Sequence, residues 1–98
     1  MLENIKLESF SSHLNSKFRV RLGPEGALEL ELFEATDLGS TPRHEQFAIV
    51  FRGPLNQSLP QATYAFEHQE IGAFDLFIVP VKQDQNGIYY EAIFNRLL

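Results

Sequence analysis

Hydrophobic and polar positions along this chain change period several times, and the changes mark its elements. In "LESFSSHLN", Leu7, Phe10 and Leu14 recur at i, i+3 and i+7, which is one face of a short helix. Asn15 suits a left-handed cap at its end. So short a helix is not stable alone and must dock on something. "KFRVRL" and "ALELELFEA" then alternate with period two, as strands do. Between them "GPEG" places Pro24 at the first corner of a type I turn and Gly26 at the left-handed position of a three-residue loop. This predicts Arg21 opposite Glu29 and Arg19 opposite Glu31. On the other face Leu22 meets Leu28, Val20 meets Leu30 and Phe18 meets Leu32. A slip of one residue would set charge against leucine. At Phe33 the alternation breaks, which predicts a bulge or bend.

"TDLGSTPRHE" (36–45) reads as a loop of turn-forming residues, and "QFAIVFRG" as a central strand that is apolar on both faces. "PLNQSLPQA" is a second loop. "TYAFEH" and "AFDLFIVPV" form a hairpin around Glu70, Ile71 and Gly72, with His68 opposite Phe74, Phe66 opposite Leu76 and Tyr64 opposite Ile78. That register sets Glu67 against Asp75, two like charges that must both be solvated. "VKQDQNGIYYEAIFN" carries Asn86-Gly87, a type I′ turn signal. It predicts Lys82 opposite Glu91 and Pro80 opposite Ile93. The strand shared by these hairpins carries its best apolar face on Leu76 at one end and on Phe77 and Val79 at the other. Such a switch belongs to a long coiled strand. The expected fold is all-β: one domain over 1–98, six antiparallel strands in a small barrel or orthogonal sandwich, with the N-terminal helix plugging one opening.

Composition narrows the function. The 98 residues, 44% hydrophobic with nine Phe, suffice for one compact core. A net charge of -5 disfavours nucleic acid and anionic membranes. No cysteine is present, which favours a reducing compartment and a cytoplasmic location. "MLENIKLESF" lacks the pattern of a signal peptide, and no apolar stretch approaches the ~20 residues of a membrane span.

The search for chemistry returns little. His13, His44 and His68 show no metal-ligand spacing. His68 stands next to Glu67 and near Asp75, yet strand alternation points both carboxylates to the opposite face. It reads as a strand end with its ring on Phe74. There is no nucleophile elbow and no glycine-rich phosphate loop. Glu29 and Glu31 have arginine partners, and the aromatics fall on core faces rather than among basic residues. No catalytic residue, cofactor or metal is expected, and the chain reads as a non-enzyme.

What remains is surface. Tyr89 and Tyr90 are consecutive, so one should be exposed, and exposed tyrosine favours interfaces. The 36–45 loop carries Arg43 and His44 as local positive potential. The first expectation is a non-enzymatic interaction or assembly module, with a protein partner or self-association, using a sheet edge, this loop and a tyrosine. The alternative is a small-ligand barrel with Tyr64, His68 and Arg52 at its mouth.

"FRGP", "LPQATYAFEHQEIGAFDLFIVPV" and "YEAIFNR" together resemble a bacterial family of roughly hundred-residue proteins of unknown function. The most specific part is Tyr64, His68, Gly72 and Pro80, followed by Asn95-Arg96. The resemblance implies no activity, cofactor or catalytic residue. It leans toward an accessory role in a phage-tail-like or surface assembly.

Overall fold

A computed structural model describes residues 5–97. One short helix, α1 (Leu7–Ser11), precedes six strands: β1 (Lys17–Arg21), β2 (Ala27–Asp37), β3 (His44–Gly53), β4 (Ala62–His68), β5 (Gly72–Asp84) and β6 (Gly87–Leu97). They form one antiparallel sheet in the order β1-β2-β3-β6-β5-β4, and β4 returns to β1 through Arg19–Glu67 and Val20–Phe66. The mainly β fold with a closed six-stranded sheet is the expected one.

The helix is shorter than its pattern suggests. The Ser12 hydroxyl donates to the Glu8 carbonyl (2.6 Å), competing for a helix acceptor where the helix stops. Asn15 does take the left-handed conformation (φ 71°), but as the bend into β1 rather than as a cap. Its amide donates to the Leu32 carbonyl (2.7 Å), and the Leu32 amide to that of Ser16 (3.0 Å). Leu14 is left exposed, so the docking falls to Phe10. Its fully buried ring meets Phe94, Phe74, Phe47 and Phe18 at centroid distances of 5.6, 6.0, 6.1 and 6.3 Å. Those four rings come from β6, β5, β3 and β1, so the helix plugs the sheet at one end.

The first two hairpins keep the expected faces and shift their register by two residues, whereas the third shifts by two next to its turn and by three beyond its bulge, where Pro80 lies opposite Tyr90 rather than Ile93. Arg21 lies opposite Ala27 and Arg19 opposite Glu29, because the loop spans 22–26, with the Leu22 amide donating to the Gly26 carbonyl (2.9 Å). The left-handed residue there is Gly23 (φ 123°), not Gly26. His68 lies opposite Gly72 and Phe66 opposite Phe74. The expected clash of Glu67 with Asp75 therefore does not arise. Glu67 faces Ala73 on one side and Arg19 on the other, with the Arg21 guanidinium at 3.4 Å. Lys82 lies opposite Tyr89 rather than Glu91, across a two-residue turn at Gln85-Asn86. Type I′ requires left-handed backbone at both turn residues. Here only Gly87 has it (φ 154°), where a Cβ would come within 2.5 Å of the Gly53 carbonyl oxygen. A shift of two restores every side chain to its face, so alternation alone cannot detect it.

The bulge at Phe33 is present, between Leu32 and Glu34, and a second lies between Pro80 and Lys82. The predicted face switch of β5 is not observed. Phe74, Leu76 and Ile78 all point inward, whereas Phe77 and Val81 are about half exposed (51% and 50%). Beyond the second bulge β5 leaves the core. The loop at 36–45 contracts to 38–43, because β2 and β3 extend into it. Asp37 organises what is left. Its Oδ1 accepts from the Gly39 amide (2.9 Å) and the Ser40 amide (3.0 Å) and hydroxyl (3.1 Å), and these bonds hold its carboxyl below the usual range.

Truncating the plug should be costly. We expect Phe10→Ala to lower the unfolding free energy by about 3–5 kcal/mol, the range for a buried phenylalanine. Exposed Phe77→Ser should change it by no more than ~0.5 kcal/mol. Urea denaturation of the two variants measures both.

Candidate functional site

The structure disperses the six residues singled out from the sequence. Arg43 is exposed in the 38–43 loop, its amide bonded to the Thr41 hydroxyl (3.3 Å). His44 belongs to β3 and not to that loop. Its Nδ1 accepts from the Gln46 amide group (3.1 Å), so its Nε2 donates to the Asn95 carbonyl oxygen of β6. Arg52 lies on the outer face of β3, 2.7 Å from Glu31, with its guanidinium 5.1 Å from the centre of the Phe33 ring. Hydrogen bonds to Glu31 and then Tyr89 raise its pKa. Tyr64 donates its hydroxyl proton to the Pro60 carbonyl (2.7 Å), which fastens the 54–61 loop, and burial raises its pKa.

Tyr89 was expected to supply the exposed tyrosine, yet both consecutive tyrosines are buried. Tyr90 points inward, and its hydroxyl oxygen accepts from the Leu59 amide (3.0 Å). Tyr89 points outward under a lid of side chains. The Phe33 ring meets it edge-on at 5.1 Å, the Lys82 ammonium lies 4.7 Å from its centre, and its hydroxyl donates to Asp84 (3.1 Å). The Asp84 carboxyl is held low, first by the Asn86 amide and less by Tyr89. The bulge at Phe33 places that ring where it can cover Tyr89.

The expected ligand mouth is not assembled. Tyr64 and His68 share the inward parity of Phe66, whereas Arg52 follows fully buried Phe51 and points the other way. The three side chains do not converge.

His68 has a different assignment. Its Nδ1 accepts from the amides of Glu70 (3.1 Å) and Ile71 (3.2 Å), so the ring proton is on Nε2. That proton goes to the Ser16 oxygen (3.0 Å), and Ser16 donates to the His13 carbonyl (2.6 Å). A serine within hydrogen-bond distance of a histidine is the pair that nucleophilic enzymes use. Here the tautomer is reversed. A general base needs a free acceptor at the nitrogen facing the hydroxyl, and His68 presents a donor. The ring lies 4.3 Å from Phe18, not on Phe74, and meets His13 edge-on at 4.7 Å. Burial first, then His13, lowers its pKa, against an opposing effect of Glu70. His13 donates from Nδ1 to the Ser9 carbonyl (2.7 Å) and lies 3.4 Å from Glu70. Together His13, Ser16, His68 and Glu70 clasp the turn after α1 to the β4–β5 hairpin. Among the described residues, no group of three His, Asp or Glu is placed to hold a metal, and no buried side-chain polar atom lacks a partner.

The most distinctive surface lies elsewhere. The ladder between β5 and β6 ends at Val79–Glu91. Past that point Gly72–Ile78 pairs only with β4, and Ala92–Leu97 only with β3. A groove of about 420 Å³ opens between the strands, lined in part by Phe77, Val79, Glu91, Ile93 and Asn95. Phe77 and Ile93 are more than half exposed there. The sequence reading missed this surface because it assigned Phe77 and Val79 to the core. Strict alternation from Phe74 through Ile78 was the signal that could have placed them outside.

A family model described as a domain of unknown function (DUF6916) matches residues 5–94. The match includes "FRGP", the whole Leu59–Val81 stretch and Tyr90–Phe94, and Asn95-Arg96 lies just past it. No curated protein and no solved structure matches the chain.

The lowered pKa of His68 has a definite sign in folding. As pH falls through the ordinary histidine value, the unfolded chain takes up the proton first. The stability due to neutral His68 is therefore complete above that value and is lost as pH falls below it, toward the folded pKa. Urea midpoints between about pH 7.5 and 5 should fall more steeply for the wild type than for His68→Gln. Equal slopes would remove His68 as the source.

Proposed function

The chain belongs to the family of the domain of unknown function DUF6916, and we propose that it acts as a non-enzymatic protein-interaction or assembly module. The observation that carries this reading is the apolar outer face at the end of the β5–β6 ladder. Phe77 and Ile93 are each more than half exposed, on two neighbouring strands, and with Val79 line the groove between them. Single exposed apolar residues are ordinary, whereas a contiguous group of large ones marks an interaction surface.

Two further observations support it. The interior is filled by side chains: Phe10, Phe18, Phe47, Phe51, Phe66 and Tyr90 are fully buried. A small ligand inside the closed sheet would have to displace that packing, which weighs against the ligand-barrel alternative. The Ser16–His68 pair has the tautomer unsuited to activating the serine. The lean toward a phage-tail-like or surface assembly rests on the family resemblance alone. A cytoplasmic setting fits the absence of cysteine.

A photo-crosslinking amino acid at Phe77 tests the reading in the cells that make the protein. We expect a discrete protein adduct from position 77 and none from position 34, which is exposed on β2. The adduct should survive His68→Gln and disappear with Ile93→Ser. Equal labelling from both positions, or an adduct indifferent to Ile93→Ser, would count against an interaction surface here.

A further inference from the structure

We infer that the β5–β6 groove receives an extended segment of a partner protein, an apolar strand with basic residues at its ends. This rests on the interaction reading above and adds the form and charge of the partner.

The backbone specifies an extended form. Gly72–Ile78 and Ala92–Leu97 each have a sheet neighbour on one side only, and those one-sided stretches border the same groove. A strand edge offers alternating amides and carbonyls, and an added strand is the partner that satisfies them in register. Edges in monomeric proteins are commonly blunted by lysine, by proline or by inward charge. Here Pro80 and the neighbouring bulge stand only where the ladder ends, and the apolar side chains that line the groove from outside are Phe77, Val79 and Ile93. A strand laid against either edge would send alternate side chains onto them.

Charge selects the ends. The acidic groups on this face are Asp75, two residues before Phe77 on β5, and Glu91, opposite Val79 on β6. The cation lining the groove, Arg96, is engaged by Glu45 at 2.8 Å. The chain as a whole carries -5. A second copy would bring the same carboxylates toward these, so the geometry favours a partner with lysine or arginine flanking its apolar run.

The probe is a fluorescent eight-residue peptide of alternating valine and threonine with a lysine at each end. Fluorescence anisotropy and amide chemical shifts of the full chain are the readouts. The expected result is saturable binding, with shifts concentrated at 73–79 and 91–97. Replacing both lysines by glutamate should weaken binding about tenfold or more. N-methylation of alternate peptide bonds should abolish it. Asp75→Lys with Glu91→Lys, the first exposed and the second half-buried, should reverse the preference for lysine over glutamate ends. The inference is overturned by no binding of any peptide, by binding that ignores N-methylation or end charge, or by shifts elsewhere. A dimer of this chain formed through the groove would also overturn it. If the peptides fail while the Phe77 adduct persists, only the strand mode falls; if both fail, the interaction reading falls with it.

Discussion

The fold depends on one ring delivered from outside the sheet. Six short strands can close on themselves, but the enclosed volume has to be filled at both ends. At one end Phe10 does this from a helix of five residues that is too short to persist unaided. Four phenylalanines from four strands receive it, so helix and sheet hold each other in place. The polar clasp of His13, Ser16, His68 and Glu70 acts beside that contact and fixes how the following turn enters β1. Polar groups near the core are thus spent on position. The hydrogen bonds between the clasp's two histidines run in one direction, from His68 to Ser16 and from Ser16 to the His13 carbonyl.

Much of this was legible in the sequence, and the limits have physical causes. Period-two alternation identified five of the strands and the inward side of the first two hairpins, and a continuous apolar run identified β3. Alternation could not count turn residues, because a two-residue shift returns every side chain to its own face. Gly23, Gly72 and Gly87 hold the left-handed backbone, but position alone did not say which corner of the turn each would occupy. The clash predicted between Glu67 and Asp75 was the clue that the register was wrong, and the observed pairing removes it by giving Glu67 arginines.

Single residues were harder to place than elements. Tyr89 is on the outer side as alternation requires, yet it is buried, because the bulge at Phe33 swings a ring across it and Arg52 and Lys82 stack nearby. Covering of an outer face by neighbours two strands away is a property of the assembled sheet. Phe77 and Val79 were misread for the opposite reason. Large apolar residues are assigned to the core by default, and only the end of the β5–β6 ladder leaves them outside.

The strand order has a consequence for how the chain reaches this state. β1-β2-β3 and β4-β5-β6 are each consecutive, so each half can form from local hairpins. The halves then meet along two unequal junctions, ten register pairs between β3 and β6 and two between β1 and β4. The long junction can start from its nearest pair, Gly53 with Ile88, a shorter closure than either β1–β4 pair requires, and ten pairs then repay that closure. Once it is formed, the short junction closes at little further entropic cost. The molecule is two meanders joined by one strong edge and one weak one.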